Sequence, residues 1–490
     1  MNNNITLPAS LNITGISADS REIKPNMLFA ALSGTNTDGR KYIEKAIDSG
    51  AIAILAPVGT KLPESSGHVY LLESDNCRAA LSALSASYYK DQPKNIVAVT
   101  GTNGKSSTVF FASQIMSLLG KDAVSIGTLG IHGRNISIKG SMTTMDPVNL
   151  HKNLKILSDD NIEFVAMEAS SHGIFQHRID NVKLKAAAFT NFTRDHLDYH
   201  GSMDEYFAVK SRLFADIVPE NGYAVINSDI KEYEILSKIC ELRNIHIIDY
   251  GHKADKIKII ERTAVTDGQL IKIKVNNKIY ETKIHQVGEF QLMNILAAIG
   301  LVMAVEGNNI IKNIIGILHK LESPDGRVEL VAGHPLGASI YVDYAHTPDA
   351  LENVIQALRP HTDGKLVTII GCGGDRDHGK RPVMGHIAAK YSDIAIITDD
   401  NPRSENPEEI RSAMLSGIDD KYKSSILEIG DRHQAIIKGV SLLGAGDILL
   451  IAGKGHETGQ ILSSKTLPFD DVQEAQSAIS HLKSNRKIIS

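Results

Sequence analysis

Cysteine is scarce in this 490-residue chain: Cys77, Cys240 and Cys372 stand far apart. Three cysteines so spaced make neither a disulfide framework nor a CxxC metal pattern, and they point to a reducing compartment. Long apolar runs are missing too. None reaches, uninterrupted, the roughly 18 residues that span a bilayer. The opening MNNNITLPAS lacks the positive and apolar regions of a signal peptide. The expectation is a soluble, cytoplasmic protein with no membrane insertion. Nor is positive charge in excess. Lys and Arg number 52 against 57 Asp and Glu, a formal net charge of −5, so bulk charge does not draw the chain to nucleic acid. Solenoid repeats and low-complexity segments are absent. What is there is ordinary globular composition, 42% hydrophobic and 22% charged, which excludes disordered, collagen-like and coiled-coil chains.

At about 150 residues per domain the length suggests three domains. Short apolar, β-rich runs alternate with longer amphipathic stretches. The runs include Ile96–Val99, Phe164–Met167, Ala186–Thr190, Tyr223–Ile226, Leu366–Ile370, Ile394–Thr398 and Ile448–Ala452. That alternation predicts an α/β protein with mainly parallel sheets. Turn-rich clusters, KDQPKN at Lys90–Asn95 and ESPDGR at Glu322–Arg327, mark the cuts. The expected domains are residues 1–92, 93–324 and 325–490.

Ile96–Val99 runs into TGTNGKSS, Thr100–Ser107, and then into VFFASQIMSLLG. Strand, glycine-rich turn and helix in that order make a phosphate loop of the short GxxGK[ST] form. Val99 stands where the long form has glycine. Gly101 and Gly104 let the backbone turn tightly and offer N–H groups. Lys105 can reach the outer phosphates of a nucleotide, and the Ser106 hydroxyl can ligate Mg²⁺. The helix N-terminus adds partial positive charge.

The next strand ends in Glu168, where α/β proteins place ligands and where a carboxylate can hold a metal beside phosphates. Further on, TNFTRDHLDYH (Thr190–His200) sets His196 and His200 four apart. Zinc of the HExxH kind is disfavoured, because Leu197 stands where Glu is needed and no third ligand has zinc spacing. Mg²⁺ with oxygen ligands and a triphosphate fits better. By pattern alone Lys210, in EYFAVKSRLF, is a surface lysine on an amphipathic helix.

In the last third three apolar strands run into polar loops: GCGGDRDHGKR (Gly371–Arg381), TDDNPRSENP (Thr398–Pro407) and AGKGHETGQ (Ala452–Gln460). If these strands are parallel neighbours, the loops gather at one sheet edge and Arg376, Arg403 and Glu457 face one crevice. Two guanidiniums and a carboxylate suit a small zwitterion carrying carboxylates and an amine.

Together these residues resemble the ATP-dependent Mur ligases of bacterial cell-wall synthesis, in particular their diaminopimelate-adding branch. Ten landmarks stand in the family order over nearly the whole chain: DSR (Asp19–Arg21), GTNGKSS, Thr143–Thr144, EASSHGIFQHR (Glu168–Arg178), TRDHLDYHG (Thr193–Gly201), Lys210, VDYAHTPDAL (Val342–Leu351), GGDRDHGKRP (Gly373–Pro382), DNPR (Asp400–Arg403) and GKGHE (Gly453–Glu457). The departures are small. Ser106 and Ser107 replace a Thr pair, Met145 stands where Pro is frequent, and Gln291 where Asn is common.

The resemblance implies three α/β domains: an N-terminal UDP-binding domain, a central ATPase-like domain with a parallel sheet and phosphate loop, and a C-terminal Rossmann-like domain for the amino acid. It implies an ADP-forming ligase adding meso-2,6-diaminopimelate to the D-Glu carboxylate of UDP-MurNAc-L-Ala-D-Glu through an acyl phosphate. Ser20, Thr35, Asn36 and Thr37 would hold the UDP end, and Thr143, Thr144, Ser170, Gln176 and Arg178 the muramoyl-dipeptide. ATP would fall to Gly101, Thr102, Asn103, Gly104, Lys105, Ser106 and Ser107 with Asn294, Arg327 and Asp343. Diaminopimelate would fall to Arg376, Asp400, Asn401, Pro402, Arg403, Gly453 and Glu457. Lys105, Glu168, His196 and Lys210 would be catalytic. Ser106, Glu168 and Lys210, the last as a CO2-derived carbamate, would organise Mg²⁺, with His196 supporting that shell. The substrates are small molecules, the protein a monomer, and domain closure completes the site. Two rivals are a folylpolyglutamate synthetase, with similar ATP chemistry but no reason to carry DNPR and GKGHE, and a nucleotide-driven switch with no amino-acid substrate.

Overall fold

In the computed structural model, residues 8, 11–34, 37–138, 140, 142–195, 197–265, 267–331, 333–463 and 465–487 are described. The chain divides into two compact units, Met1–Ile257 with Leu296–Ile314, and Lys258–Ile295 with Ile315–Ser490.

The first unit begins with four parallel strands in sequential order, β1 (Gly15–Ser17), β2 (Met27–Ala30), β3 (Ala53–Pro57) and β4 (Tyr70–Ser74). Side chains alternate across a strand, so one sheet buries two faces. Leu28, Ala30 and Leu55 pack with Leu81 and Leu84 of the helix Cys77–Tyr89, while Phe29, Ile54 and Ala56 pack with Ile43 and Ala46 of the helix Ile43–Asp48. Asn76 caps the longer helix by accepting the Ala79 N–H.

A second sheet follows: β5 (Asn95–Thr100), β6 (Ala123–Gly127), β7 (Gly130–Gly133), β8 (Ile136–Ile138), β9 (Phe164–Glu168), β10 (Leu184–Phe189), β11 (Tyr223–Asn227) and β12 (His246–Gly251). They lie in the order β12-β11-β10-β5-β9-β6-β7-β8, parallel from β12 to β6 and antiparallel at β7 and β8. Ile96–Thr100, β6 and β9 are buried throughout. Burial on both faces is why they read as continuous apolar runs rather than alternating ones. The loops after β5, β9 and β10, three adjacent strands, leave the sheet at one edge.

The second unit opens with a meander, β13 (Ile257–Val265), β14 (Gly268–Val275) and β15 (Lys278–Ile284), in which β14 and β15 pair antiparallel. Its main sheet contains β16 (Arg327–Val331), β17 (Ser339–Asp343), β18 (Leu366–Ile370), β19 (Ile394–Ile397), β20 (Ile426–Glu428) and β21 (Ile448–Ala452), ordered β16-β17-β21-β18-β19-β20. Only β16 runs antiparallel. Leu366, Ile370, Ile448 and Leu450 pack with Leu351, Met384 and Ile410 on one face. Val367, Ile369, Leu449 and Ile451 pack with Ile436, Val440 and Ile479 on the other. Helices therefore cover both faces, as expected of a Rossmann-like domain. A hairpin, β22 (Gly459–Leu462) and β23 (Lys465–Pro468), follows β21.

One helix, Glu289–Glu306, is long and apolar enough to cross a membrane by length and composition, yet its Leu292, Ile295, Leu296, Ile299 and Val302 are fully buried in the protein. The core accounts for its apolarity.

Candidate active site

β5 delivers the chain into Gly101–Ser107. Gly101 has φ of +143°, and a Cβ there would collide with the Thr190 hydroxyl, so both conformation and space demand glycine. The loop after β10 clasps this turn. The Thr102 N–H donates to the Asn191 carbonyl (3.0 Å), the Asn103 N–H to Asn191 Oδ1 (2.8 Å), and Thr190 Oγ1 to the Asn103 carbonyl (2.6 Å). Gly104, left-handed, starts the helix Lys105–Leu118. Lys105 Nζ donates to the carbonyls of Gly101 (3.0 Å) and Thr102 (2.7 Å). A rigid turn, a helix N-terminus and an ammonium make a cradle for an anion.

Glu168, at the end of β9, lies level with Val99 of β5 and is 2% exposed. Its Oε1 accepts from Ser106 Oγ (2.9 Å) and from the Thr128 N–H (2.8 Å). The Thr128 hydroxyl in turn reaches Thr143 Oγ1 (3.0 Å). The carboxylate is thus fixed beside the phosphate loop by neutral donors.

Lys210 overturns the surface-lysine reading of its helix, Met203–Arg212: it is 1% exposed, and its Nζ donates to the Gly101 carbonyl at 2.7 Å. The helix is amphipathic as expected, but this lysine lies on the inward side, its ammonium 4.6 Å from the centre of the Tyr206 ring. Burial pushes the Lys210 pKa well below the usual lysine range, and the Lys105 charge adds to that, opposed by Asp195. His196 lies outside the described residues. His200 is buried and its Nε2 bonds Ser171 Oγ at 2.9 Å. Among the described residues no group of three or more His, Cys, Asp or Glu is placed to hold a metal.

Next to Glu168 the Thr143–Thr144 segment meets the helix after β9. The Thr144 hydroxyl donates to the Glu168 carbonyl (3.0 Å) and accepts the Ser170 N–H (3.0 Å). Arg178 donates through Nη1 to the Thr144 carbonyl (2.5 Å) and through Nη2 to Gln176 Oε1 (2.7 Å). Burial lowers the Arg178 pKa, with Asp146 opposing. Thr143, Thr144, Ser170, Gln176 and Arg178 therefore form one cluster. Arg78 of the N-terminal sheet region joins it, donating to Gln176 Oε1 (3.3 Å) and to the Ser33 carbonyl (3.0 Å). Ser20 is buried and Thr37 exposed on loops of that sheet, and neither bonds the cluster. Thr35 and Asn36 lie outside the described residues.

In the second unit Asp343 ends β17, its carboxylate accepting the N–H groups of Val328 (2.8 Å) and Ala345 (2.8 Å). Burial raises its pKa, and the Arg327 charge opposes. Arg327 lies over the Tyr344 ring, 4.9 Å from its centre, and its carbonyl accepts from Gln291, which also bonds Asn294 (3.1 Å).

β21, β18 and β19 are parallel neighbours, so the three polar loops of the last third do share one edge. Two of them are tightly joined. Asn401 Nδ2 donates to Glu457 Oε2 (2.9 Å), and the Ile461 N–H to Asn401 Oδ1 (2.9 Å). Gly453, at φ +113°, leaves room for Asp400, whose Oδ2 would be 2.8 Å from a Cβ there. Burial raises the Asp400 pKa, opposed by the charges of Arg432 and Lys454. Arg403 donates through Nη1 to the Gly374 carbonyl (2.8 Å), and its backbone is clasped by Ile461 and Ser463 around β22. Pro402 precedes it, buried. Arg376 is exposed, its guanidinium on the Asp375 carbonyl (3.4 Å).

Three family models match the chain: Mur ligase family, catalytic domain, over residues 12–89; Mur ligase middle domain over 99–302; and Mur ligase, glutamate ligase domain, over 326–455. A curated relative, UDP-N-acetylmuramoyl-L-alanyl-D-glutamate–2,6-diaminopimelate ligase of Caulobacter vibrioides, is 44% identical over 474 residues, 95% of each chain. The protein of the same name from Mesorhizobium japonicum is 42% identical, covering 97% of this chain and 96% of that one. The solved structure of a ligase of that name aligns with a TM-score of 0.73 at 30% identity, over 96% of this chain and 95% of that one. The chain belongs to the Mur ligase family.

Several residues of this Mur ligase that hold its candidate site together escaped the sequence reading. Thr128 orients Glu168 but follows β6 in no recognisable motif. Asn191 clasps the phosphate loop from TNFTRDHLDYH, a segment read for its histidines and its family landmark rather than for this asparagine. Arg432 and Asp471 form a fully buried ion pair (2.6 Å) in which Arg432 also donates to the Ala452 carbonyl (2.9 Å), under Gly453. A charge at a helix start gives no sign of such a partner far along the chain.

Proposed function

We propose that this chain joins meso-diaminopimelate to the D-Glu side-chain carboxylate of UDP-MurNAc-L-Ala-D-Glu while ATP becomes ADP and phosphate. It does so as a cytoplasmic monomer supplying peptidoglycan precursors. The observation that carries the reading is Glu168, buried 2.9 Å from Ser106 beside a phosphate loop, in a chain that matches a diaminopimelate ligase over 95% of its length.

A carboxylate does not acylate an amine in water, because its oxygen is a poor leaving group. A D-Glu carboxylate oxygen attacks the γ-phosphorus, the bond to the ADP oxygen breaks, and ADP departs. The diaminopimelate amine, unprotonated, then attacks the acyl carbon. The tetrahedral intermediate collapses, phosphate leaves with its electron pair, and the amine proton passes to solvent. The protein supplies position and charge neutralisation. Lys105 exchanges its own loop carbonyls for phosphoryl oxygens, and Gly101–Ser107 cradle the phosphates. Thr143, Thr144, Ser170, Gln176 and Arg178 orient the dipeptide, and Ser20 and Thr35–Thr37 the UDP end. The nucleotide roles of Asn294, Arg327 and Asp343 rest on the family resemblance, as does that of His196.

Ser106 and Glu168 are hard oxygen donors side by side, a set that fits Mg²⁺, which when bound would offset charge on the phosphates. Lys210 fits that set only once modified. A buried amine driven toward its neutral form can attack CO2, forming an N–C bond and losing a proton, and the resulting carbamate is an oxygen ligand.

Arg376, Asp400–Arg403, Gly453 and Glu457 receive diaminopimelate. Its far end carries a carboxylate beside an amine, and L-lysine lacks that carboxylate. Arg403 offers the carboxylate a planar fork and Glu457 accepts from the amine, so lysine leaves a guanidinium unpaired. Oxygen labelling tests the acyl phosphate. With ¹⁸O in the D-Glu carboxylate, one labelled oxygen should appear in the released phosphate. Unlabelled phosphate alongside amide product would overturn the route.

A further inference from the structure

Lys454 is fully buried, 0% exposed, in a loop whose Gly453 and Glu457 were assigned to substrate. Lysine is almost never so buried unless paired. Its Nζ donates to Asn401 Oδ1 (3.1 Å) and to Glu457 Oε2 (3.1 Å). It therefore ties the loop after β19 to the loop after β21 at the two residues proposed to meet the amino acid. Glu457 Oε2 is saturated by Lys454 and Asn401, whereas Oε1 takes no hydrogen bond from any described residue. Holding two loops together does not by itself call for a buried charge, since apolar side chains of similar volume stabilise as well or better. What an ammonium adds is a fixed direction for one carboxylate oxygen, which leaves the other oriented outward from a rigid support.

We propose that Lys454 is a positioning residue for the incoming amino acid: it locks Glu457 Oε2 against Asn401 so that Oε1 is presented to the diaminopimelate ammonium. The proposal rests on the diaminopimelate reading. Lys454→Met keeps the apolar stem and removes the donor. It should raise the KM for diaminopimelate about tenfold, the cost of one well-placed hydrogen bond to a charged group. The KM values for ATP and UDP-MurNAc-dipeptide should stay within about twofold, a split that general loss of structure does not produce. In a Glu457→Gln background the same change should raise the diaminopimelate KM by less than about threefold, because Lys454 acts through Glu457. An unchanged KM in Lys454→Met, multiplicative effects in the double variant, a parallel rise for ATP, or loss of the folded state would each overturn it. Wild-type ADP release indifferent to diaminopimelate would overturn the underlying reading and the proposal together. Normal wild-type dependence with an unshifted Lys454→Met overturns the proposal alone.

Discussion

Lys105 and Lys210 aim their ammonium groups at one carbonyl, that of Gly101, at 3.0 and 2.7 Å. Of the two, Lys210 is fully buried, and that burial together with the Lys105 charge favours its neutral form, opposed by Asp195. Lys105→Ala should leave the fold intact and lower kcat by at least about 100-fold, since it removes a phosphate contact that strengthens in the transition state. Normal turnover in that variant would mean that the loop does not bind the transferring phosphate. For Lys210, intact-protein mass of the bicarbonate-supplied enzyme should show the added mass of one CO2. Lys210→Ala should be nearly inactive and partly restored by chloride or bicarbonate. An unmodified mass in fully active enzyme would contradict the carbamate. Lys210 also marks where pattern reading stops. A lysine on a helix that also carries Asp204, Glu205 and Arg212 looks solvated, and only the long-range approach of Gly101 reveals otherwise.

Among the elements, the helix Pro147–Asp159 carries a buried histidine, His151, 1% exposed, whose Nε2 has no hydrogen-bond partner. Burial pushes its pKa from 6.5 down to about 4. Above pH 6.5 the ring is neutral folded or unfolded, and its contribution to stability is whole. As pH falls from 6.5 toward 4, the unfolded chain takes up a proton that the folded one refuses, and stability is lost. At 1.36 kcal/mol per pH unit the window is worth up to about 3 kcal/mol. Urea unfolding at pH 7 and pH 4 should therefore show a smaller acid loss for His151→Leu than for the wild type, by about 2–3 kcal/mol. Equal losses would place the acid sensitivity elsewhere. Strands were more legible than such buried polar groups. Leu366–Ile370 and Ile448–Ala452 match the sequence expectation at both ends. Ile96–Val99 lengthens by one residue at each end because Asn95 and Thr100 join the ladder at its margins. Which strands neighbour one another was legible only by assumption. Pairing of β21 with β18 joins segments some 80 residues apart, and nothing local encodes it.

At the scale of the molecule, the chemistry is divided. One unit carries the phosphate loop, Glu168, Lys210 and the Thr143–Arg178 cluster; the other carries the loops that hold Asn401, Arg403 and Glu457. The motifs themselves were readable, because each is a strand end followed by a loop whose residue types the chemistry dictates. The supports were not readable. Thr128, Asn191, Lys454 and Arg432 contribute through contacts that no spacing announces. The central claim, ligation of diaminopimelate at the expense of ATP, is tested most directly by ADP release from ATP and UDP-MurNAc-L-Ala-D-Glu with meso-diaminopimelate, with L-lysine, or with no amino acid. The account predicts ADP stoichiometric with an amide product for diaminopimelate and near-background release otherwise. Release without an amino acid, or efficient use of L-lysine, would contradict it.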